Sequence, residues 1–297
     1  MSVGSVPIES AGAISVGQGA PDLRREFLRN LTHQGTFAVG AVILGFWILS
    51  AIFGNLLVPH DPLAQNLNLI NQAPSSSHWF GTDQLGRDMF ARVITGSRDI
   101  LITAPLATLI GTVLGTALGL VMGYFRGWVD EVIGRFVEAF LALPLVVTGI
   151  LGVVALGPSD ETLIIVIGIV FTPLIARTVR AAVLLERELD YVSAARLRGE
   201  TSLYIMFVEI LPNVLAPIMV EFTVRLGYAV FTIVTLSFLG FGIPPPSANW
   251  GLEISSNYGQ VTAGYWWEVL FDALAVASLV IGVNMIANSI ESALDAS

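Results

Sequence analysis

The sequence predicts an all-α protein: a polytopic membrane bundle of six transmembrane helices. Hydrophobic residues make up 54% of the 297-residue chain, charged residues only 12%, and the mean hydropathy is +0.76. Soluble domains carry roughly 25% charge. Apolar runs of about 20 residues recur along the chain, each long enough to cross a hydrocarbon core about 30 Å thick. In lipid such runs are helical, because every backbone N–H and C=O needs a partner inside the protein.

Residues 1–34 read as a cytoplasmic tail rich in Gly, Ser and Ala, with Arg24, Arg25 and Arg29 near its end. The first apolar run starts too late for a signal peptide and is too long for its hydrophobic region, so it reads as a retained helix. That span covers Phe37–Val58 and stops at Pro59-His60-Asp61-Pro62. With the polar outer loop after it, it forms a first unit, residues 35–98; residues 99–297 form the core. The second span, Ile100–Phe125, carries Gly111, Gly115, Gly119 and Gly123. Glycines four apart share one helix face and admit a close neighbour; ordinary packing within the bundle is favoured over a subunit interface. The third span is Phe136–Leu156, closed by Gly157-Pro158, and the fourth, Leu163–Leu185, carries Pro173, Arg177 and Arg180. A polar loop at about 186–213 leads to the fifth, Val214–Gly240, and the sixth is Val269–Ile290.

Arginine placement predicts orientation, since cytoplasmic loops are enriched in positive charge. With the N-terminus inside, ten Arg fall in the cytoplasm: three in the tail, Arg126 and Arg135, and five from Arg177 to Arg198. Three fall outside, Arg87, Arg92 and Arg98, and Arg225 lies within a span. Both termini are therefore expected in the cytoplasm.

The chain has no Cys and no Lys. Without Cys there is no disulfide framework, thiolate metal site or thiol nucleophile. Without Lys there is no phosphate-binding loop of the G-x-x-x-x-G-K-[ST] type, so any ATP-driven role places ATP and Mg on another chain. No cofactor is expected in this one. The net charge of -9 argues against nucleic acid as a partner.

The polar loop is the most informative stretch. Tyr191-Val-Ser193-Ala194-Ala195-Arg-Leu197-Arg-Gly199 reads as a short helix capped by Asp190 and ended by a glycine turn. Thr201 or Ser202 then caps a second helix through Leu203, Tyr204 and Phe207, and Leu211-Pro212 follows. A helix showing Leu197, Leu203 and Tyr204 to the cytosol fits a partner's groove. The same pattern also fits an amphipathic helix resting on lipid headgroups.

The spacing of Ala194-Ala195, Gly199 and Leu211-Pro212 resembles the cytoplasmic loop of ABC-importer permeases that docks onto an ATPase subunit. Further stretches are similar to the peptide and nickel branch of binding-protein-dependent importers: Val58-Pro-His-Asp-Pro62, Phe80-Gly-Thr-Asp83-Gln-Leu-Gly-Arg-Asp88, Gly127-Trp-Val-Asp-Glu131, Ser237-Phe-Leu-Gly-Phe-Gly242 and Pro244-Pro245-Pro246-Ser-Ala-Asn-Trp250-Gly251. They lie in the family's order and span nearly everything after the tail. The resemblance is to the second, C-type permease of the dipeptide/oligopeptide systems, a type I ABC importer permease. It implies a bacterial cytoplasmic-membrane subunit forming half of a pathway for short peptides. The partners implied are a second homologous permease, ATPase subunits, an extracytoplasmic solute-binding protein, the peptide and membrane lipid. Docking would fall to Ser193, Ala194, Ala195, Leu197, Gly199, Leu203, Tyr204, Leu211 and Pro212. Two positions depart from the family: Ser193 replaces the usual Glu, removing a capping-box contact worth up to ~1 kcal/mol, and Glu209 replaces a hydrophobic residue.

Other candidates carry less. Glu221 and Arg225, opposite charges four apart within the fifth span, neutralise each other along one helix face. Charges at that depth usually face water or protein, so this face is expected at the pathway or a subunit interface. In the outer loop Phe241–Trp267, Pro244, Pro245 and Pro246 are expected to form a rigid polyproline wall. Asn249-Trp250-Gly251 reads as a turn, and Tyr265, Trp266 and Trp267 as an interfacial aromatic anchor. Asp83, Arg87 and Asp88 read as a hydrogen-bonded turn, since two Asp without a His make a poor metal site. His33, His60 and His78 lack metalloprotease spacing and are given no role. A secondary transporter would need repeated halves with broken helices, and a membrane enzyme paired intramembrane carboxylates; neither is evident. A nickel or other solute of the same family is the nearer alternative to a peptide.

Overall fold

The computed structural model describes residues 31–295, with the side chain of Asp295 left aside; most of the predicted N-terminal tail lies outside the described residues. In chain order the helices are α1 Gly35–Leu57, α2 Met89–Phe125, α3 Gly127–Leu141, α4 Leu145–Leu156, α5 Asp160–Glu186 and α6 Asp190–Leu197. They continue with α7 Ser202–Asn213, α8 Leu215–Phe238, α9 Trp250–Asn257 and α10 Trp267–Asp295. Five of these, α1, α2, α5, α8 and α10, are long and apolar enough to span a membrane.

The expected third span is the main correction. Instead of one rod over Phe136–Leu156, the chain forms α3 and α4, bent by 91° across a short break. Pro144 explains the break: it disfavours helical geometry at the residue before it and supplies no N–H. α4 has 12 residues, about 18 Å at 1.5 Å per residue, too short to cross a bilayer core alone. α3 is polar on one side, carrying Asp130, Glu131, Arg135 and Glu138. Counting the bent pair as one gives six spans.

α2 exceeds its expected span at the N-terminal end. Its 37 residues make about 55 Å of helix, well beyond a 30 Å core. Asp88 starts it by accepting a hydrogen bond from the Ala91 N–H at 2.7 Å.

α2 and α5 form the centre. In lipid, helices associate through close packing rather than through the hydrophobic effect, and the glycine face of α2 supplies that closeness. A Cβ added at Gly115, Gly119 or Gly123 would lie 2.7 Å from the Cβ of Ile175, Val179 or Val183. The glycine stripe is therefore spent on α5 inside the bundle, where Phe171, Ile175 and Val183 are fully buried. α1 packs on α10 and α2, and α8 on α10 and α2.

Candidate functional site

The polar loop folds into two short helices on one end of the bundle. α6 begins at Asp190, one residue earlier than expected: Leu189 occupies the cap position and its side chain makes no capping bond. Val192 and Ala195 are fully buried and seat the helix on the core. At the far end Gly199 has φ +80°. Its N–H donates to the Arg196 carbonyl at 3.0 Å, and the Glu200 N–H donates to the Ala195 carbonyl at 3.2 Å. That pair of bonds is a Schellman motif, which a left-handed glycine completes.

Thr201 then caps α7, its Oγ1 accepting from the Tyr204 N–H at 3.3 Å. Through Ile205–Ile210 the backbone widens into a π-helix, a turn frequent at functional sites. Pro212, which has no N–H to donate, lies just beyond. Ile205, Met206 and Ile210 point inward, while Leu203, Tyr204, Phe207 and Val208 are exposed. Leu197 is 90% exposed.

Polar bonds pin the unit to the bundle. Tyr191 Oη donates to Glu186 at 2.8 Å and accepts from Asn213 Nδ2 at 3.2 Å. Burial, reinforced by the Glu186 bond, pushes the Tyr191 hydroxyl up to about 12. Arg187 donates to the carbonyls of Gly123 and Tyr124, tying the loop to the end of α2. Arg198 pairs with Glu209 at 2.8 Å, so Glu209 holds α6 and α7 together.

The loop thus gathers the predicted docking residues. Ser193, Ala194, Leu197, Gly199, Leu203, Tyr204 and Pro212 are exposed, and Leu211 is half-buried. Ala195 faces the core. It serves the loop by seating α6, and it has no surface left for a partner.

Glu221 and Arg225 meet within α8, with Arg225 Nε and Nη2 both 2.6 Å from Glu221 Oε1. Both are mostly buried, and the guanidinium lies 5.4 Å from the Tyr228 ring centroid. Sequence reasoning missed a second polar feature, a cavity of about 640 Å³ lined by Asp130, Glu131, Arg135, Glu138, Arg177 and Arg180. Arg180 grips Asp130 with two bonds of 2.5 and 2.6 Å. The signal was present as charged residues spaced along Gly127–Leu141, but it was hidden by reading Asp130, Glu131 and Arg135 as loop and starting the span at Phe136.

The outer loop differs from expectation. Pro244, Pro245 and Pro246 are exposed, but the Pro245–Pro246 peptide is cis and the run forms a turn rather than a polyproline rod. Asn249-Trp250-Gly251 opens α9 instead of making a turn: Asn249 Oδ1 accepts from the N–H groups of Gly251 and Leu252. Trp250 is fully buried, donates to the Val93 carbonyl at 2.9 Å and packs edge-on against Trp47. Trp267 is also buried, bonded to the Thr82 carbonyl at 3.2 Å, while Trp266 remains half-exposed.

Asp83 and Arg87 do form a hydrogen-bonded turn. The Asp83 carboxylate accepts from the N–H groups of Leu85 and Arg87 and from Arg87 Nε at 2.6 Å. Asp88 does not lack histidine neighbours as expected, because the fold brings His60 and His78 to its carboxylate.

Spanning helices, one bent pair and an apolar-tipped polar loop define a polytopic α-helical membrane protein. Residues 115–297 match the family described as binding-protein-dependent transport system inner membrane component, and residues 23–74 match the N-terminal TM domain of oligopeptide transport permease C. The chain belongs to this family. It is 38% identical to a dipeptide transport system permease protein of Alkalihalophilus pseudofirmus, covering 91% of this chain and 89% of that one. It is 33% identical to the Bacillus subtilis dipeptide permease over 95% and 88% of the two chains. It is likewise 33% identical to a glutathione transport system permease of Pectobacterium atrosepticum over 91% and 90%. A chain of the inward-facing MetNI methionine ABC transporter shares the fold at TM-score 0.52 and 20% identity, covering 68% of this chain and 97% of that one. As a permease subunit of this family the chain is not itself an enzyme.

Proposed function

We propose that this chain is one of two permease halves of an ATP-driven importer that carries short peptides into the cytoplasm. The observation that carries this reading is the α6–Gly199–α7 unit. Its inner face is fixed by Val192, Ala195 and Ile205, while Leu197 and Leu203 stand exposed among the described residues. A rigid base under an apolar tip suits insertion into a groove on an ATPase subunit. ATP and Mg bind there, and nucleotide-driven closure moves the loops of both halves. The solute is delivered from outside by a binding protein. Relatives named for dipeptides and glutathione support a short peptide as cargo.

On this reading the tail (1–34), both termini and the loop at about 186–213 lie in the cytoplasm, and the membrane is a bacterial inner membrane. The first helix with its outer loop (35–98) precedes the transport core (99–297). The native chain contains no cysteine, so a Leu197→Cys variant has no background. Crosslinking of that variant to a cysteine-bearing ATPase subunit co-expressed from the same gene neighbourhood is expected. Equal crosslinking from Ser256→Cys, at the opposite end, would overturn the docking assignment and the orientation together.

A further inference from the structure

Two histidines and one carboxylate converge where α1 ends and α2 begins. His60 stands in the turn between Pro59 and Pro62, with neighbouring Asp61 committed to its own turn through the Leu63 N–H at 2.8 Å. His78 is held from both sides: its N–H donates to Ser75 Oγ, and its carbonyl accepts from the N–H groups of Ser75 and Gly81. Asp88 caps α2 with Oδ1 and presents Oδ2 to both rings. His78 Nδ1 lies 2.6 Å and His60 Nδ1 3.3 Å from that oxygen, and the ring centroids are 4.7 Å apart. One potential ligand atom from each residue falls within 4.8 Å of the others.

We propose that His60, His78 and Asp88 form a transition-metal site, best suited to Zn²⁺. Tetrahedral zinc with bonds of about 2.0–2.2 Å separates its ligand atoms by about 3.3–3.5 Å. The His60–Asp88 distance of 3.3 Å already equals such an edge. The His78–Asp88 contact reaches it by opening less than an ångström. Two imidazoles and one carboxylate favour zinc-like ions over Ca²⁺ or Mg²⁺, which take all-oxygen sets. Asp88 and His78 are nearly buried, whereas His60 is 41% exposed, which leaves an entry path and room for water as a fourth ligand. Metal ligation at Nδ1 takes the place of the His78–Asp88 hydrogen bond, and because protons compete with metals for imidazole and carboxylate ligands, affinity falls as the solution is acidified. The bound ion joins the post-α1 turn, the loop before α2 and the α2 cap.

The test is titration of the purified full-length chain, carrying a tag without histidines, with Co²⁺ alone. Competition by Zn²⁺ follows. Wild type is expected to bind one ion per chain with the visible bands of tetrahedral cobalt, weakened as the pH is lowered. His60→Ala, at an exposed position, should retain helical content and melting temperature. It should weaken binding by more than the roughly 10–100-fold typical of losing an outer-shell partner. His33→Ala should bind like wild type. Absence of binding in wild type, or equal binding by His60→Ala, would overturn the site.

Discussion

A graded series at Gly199 tests whether the Schellman turn sets the docking geometry. Gly199 has φ +80°, and a methyl group added there would meet no atom within 4 Å, so substitution costs arise from the backbone alone. Asn enters this region readily and should behave nearly as wild type. Ala is disfavoured there by about 1–2 kcal/mol, a shift of roughly 5–30-fold in the population of the ordered turn. Pro cannot adopt the turn at all: its φ is fixed near -65° and it loses the N–H that bonds Arg196. It also disfavours the helical geometry Arg198 now holds. Hydrogen exchange at the Glu200 amide reads the turn directly, and peptide uptake against ATP hydrolysis in reconstituted transporter reads coupling. Exchange should quicken and coupling fall in the order Asn, Ala, Pro, with membrane insertion unchanged. A Pro variant that imports like wild type would refute the reasoning.

Three further outcomes follow from geometry. Gly115→Ala and Gly119→Ala place a methyl 2.7 Å from Ile175 or Val179 Cβ and should each cost about 1–3 kcal/mol by overpacking. Gly134→Ala, whose nearest neighbour is a Met122 methyl at 3.7 Å, provides the control; equal melting of all three in detergent would contradict the tight α2–α5 contact. Tyr191 has its folded pKa raised to about 12, above the ordinary 10. Its contribution to stability is full below pH 10 and is lost as pH rises through 12. The tyrosinate absorbance missing from Tyr191→Phe should therefore appear near pH 12, and its appearance near 10 would refute the partly buried Glu186 bond. Replacing Glu221 with Gln and Arg225 with Met together should leave melting within about 1–2 kcal/mol, since buried pairs contribute little net stability. Uptake should fall or peptide selectivity change; unchanged transport of every peptide tested would make the pair purely structural.

The spans were legible because a bilayer imposes one length and one polarity on whatever crosses it. α1, α5, α8 and α10 follow their apolar runs closely. Gly199 was legible because only a local constraint acts there. The bend before α4 was hidden by a hydropathy window that sums Phe136–Leu156 and blurs Pro144, although the charges at Glu131, Arg135 and Glu138 marked α3 as different. Trp250 was misplaced because a Pro-rich approach suggests a loop, while the capping reach of Asn249 was overlooked. The meeting of His60, His78 and Asp88 was invisible because it depends on how two ends of a loop close.

The same non-local closure accounts for the arginines on the wrong side of the predicted charge asymmetry. Arg92 is fully buried and bonds Glu253, the Pro62 carbonyl at 2.8 Å and the Ser247 carbonyl at 2.9 Å. Arg87 pairs with Asp83 and lies 3.5 Å from Glu253. These two side chains bind the loop before α2, the proline turn and α9 into one end of the bundle. Removing Arg92 would take from buried Glu253 its hydrogen-bonded partner, and breaking a buried pair costs about 3–5 kcal/mol. Their position therefore reflects what the fold needs there, at the expense of the ordinary charge bias. Under the proposed orientation, setting Arg87 and Arg92 aside leaves Arg98 as the one solvent-exposed arginine on the outer side.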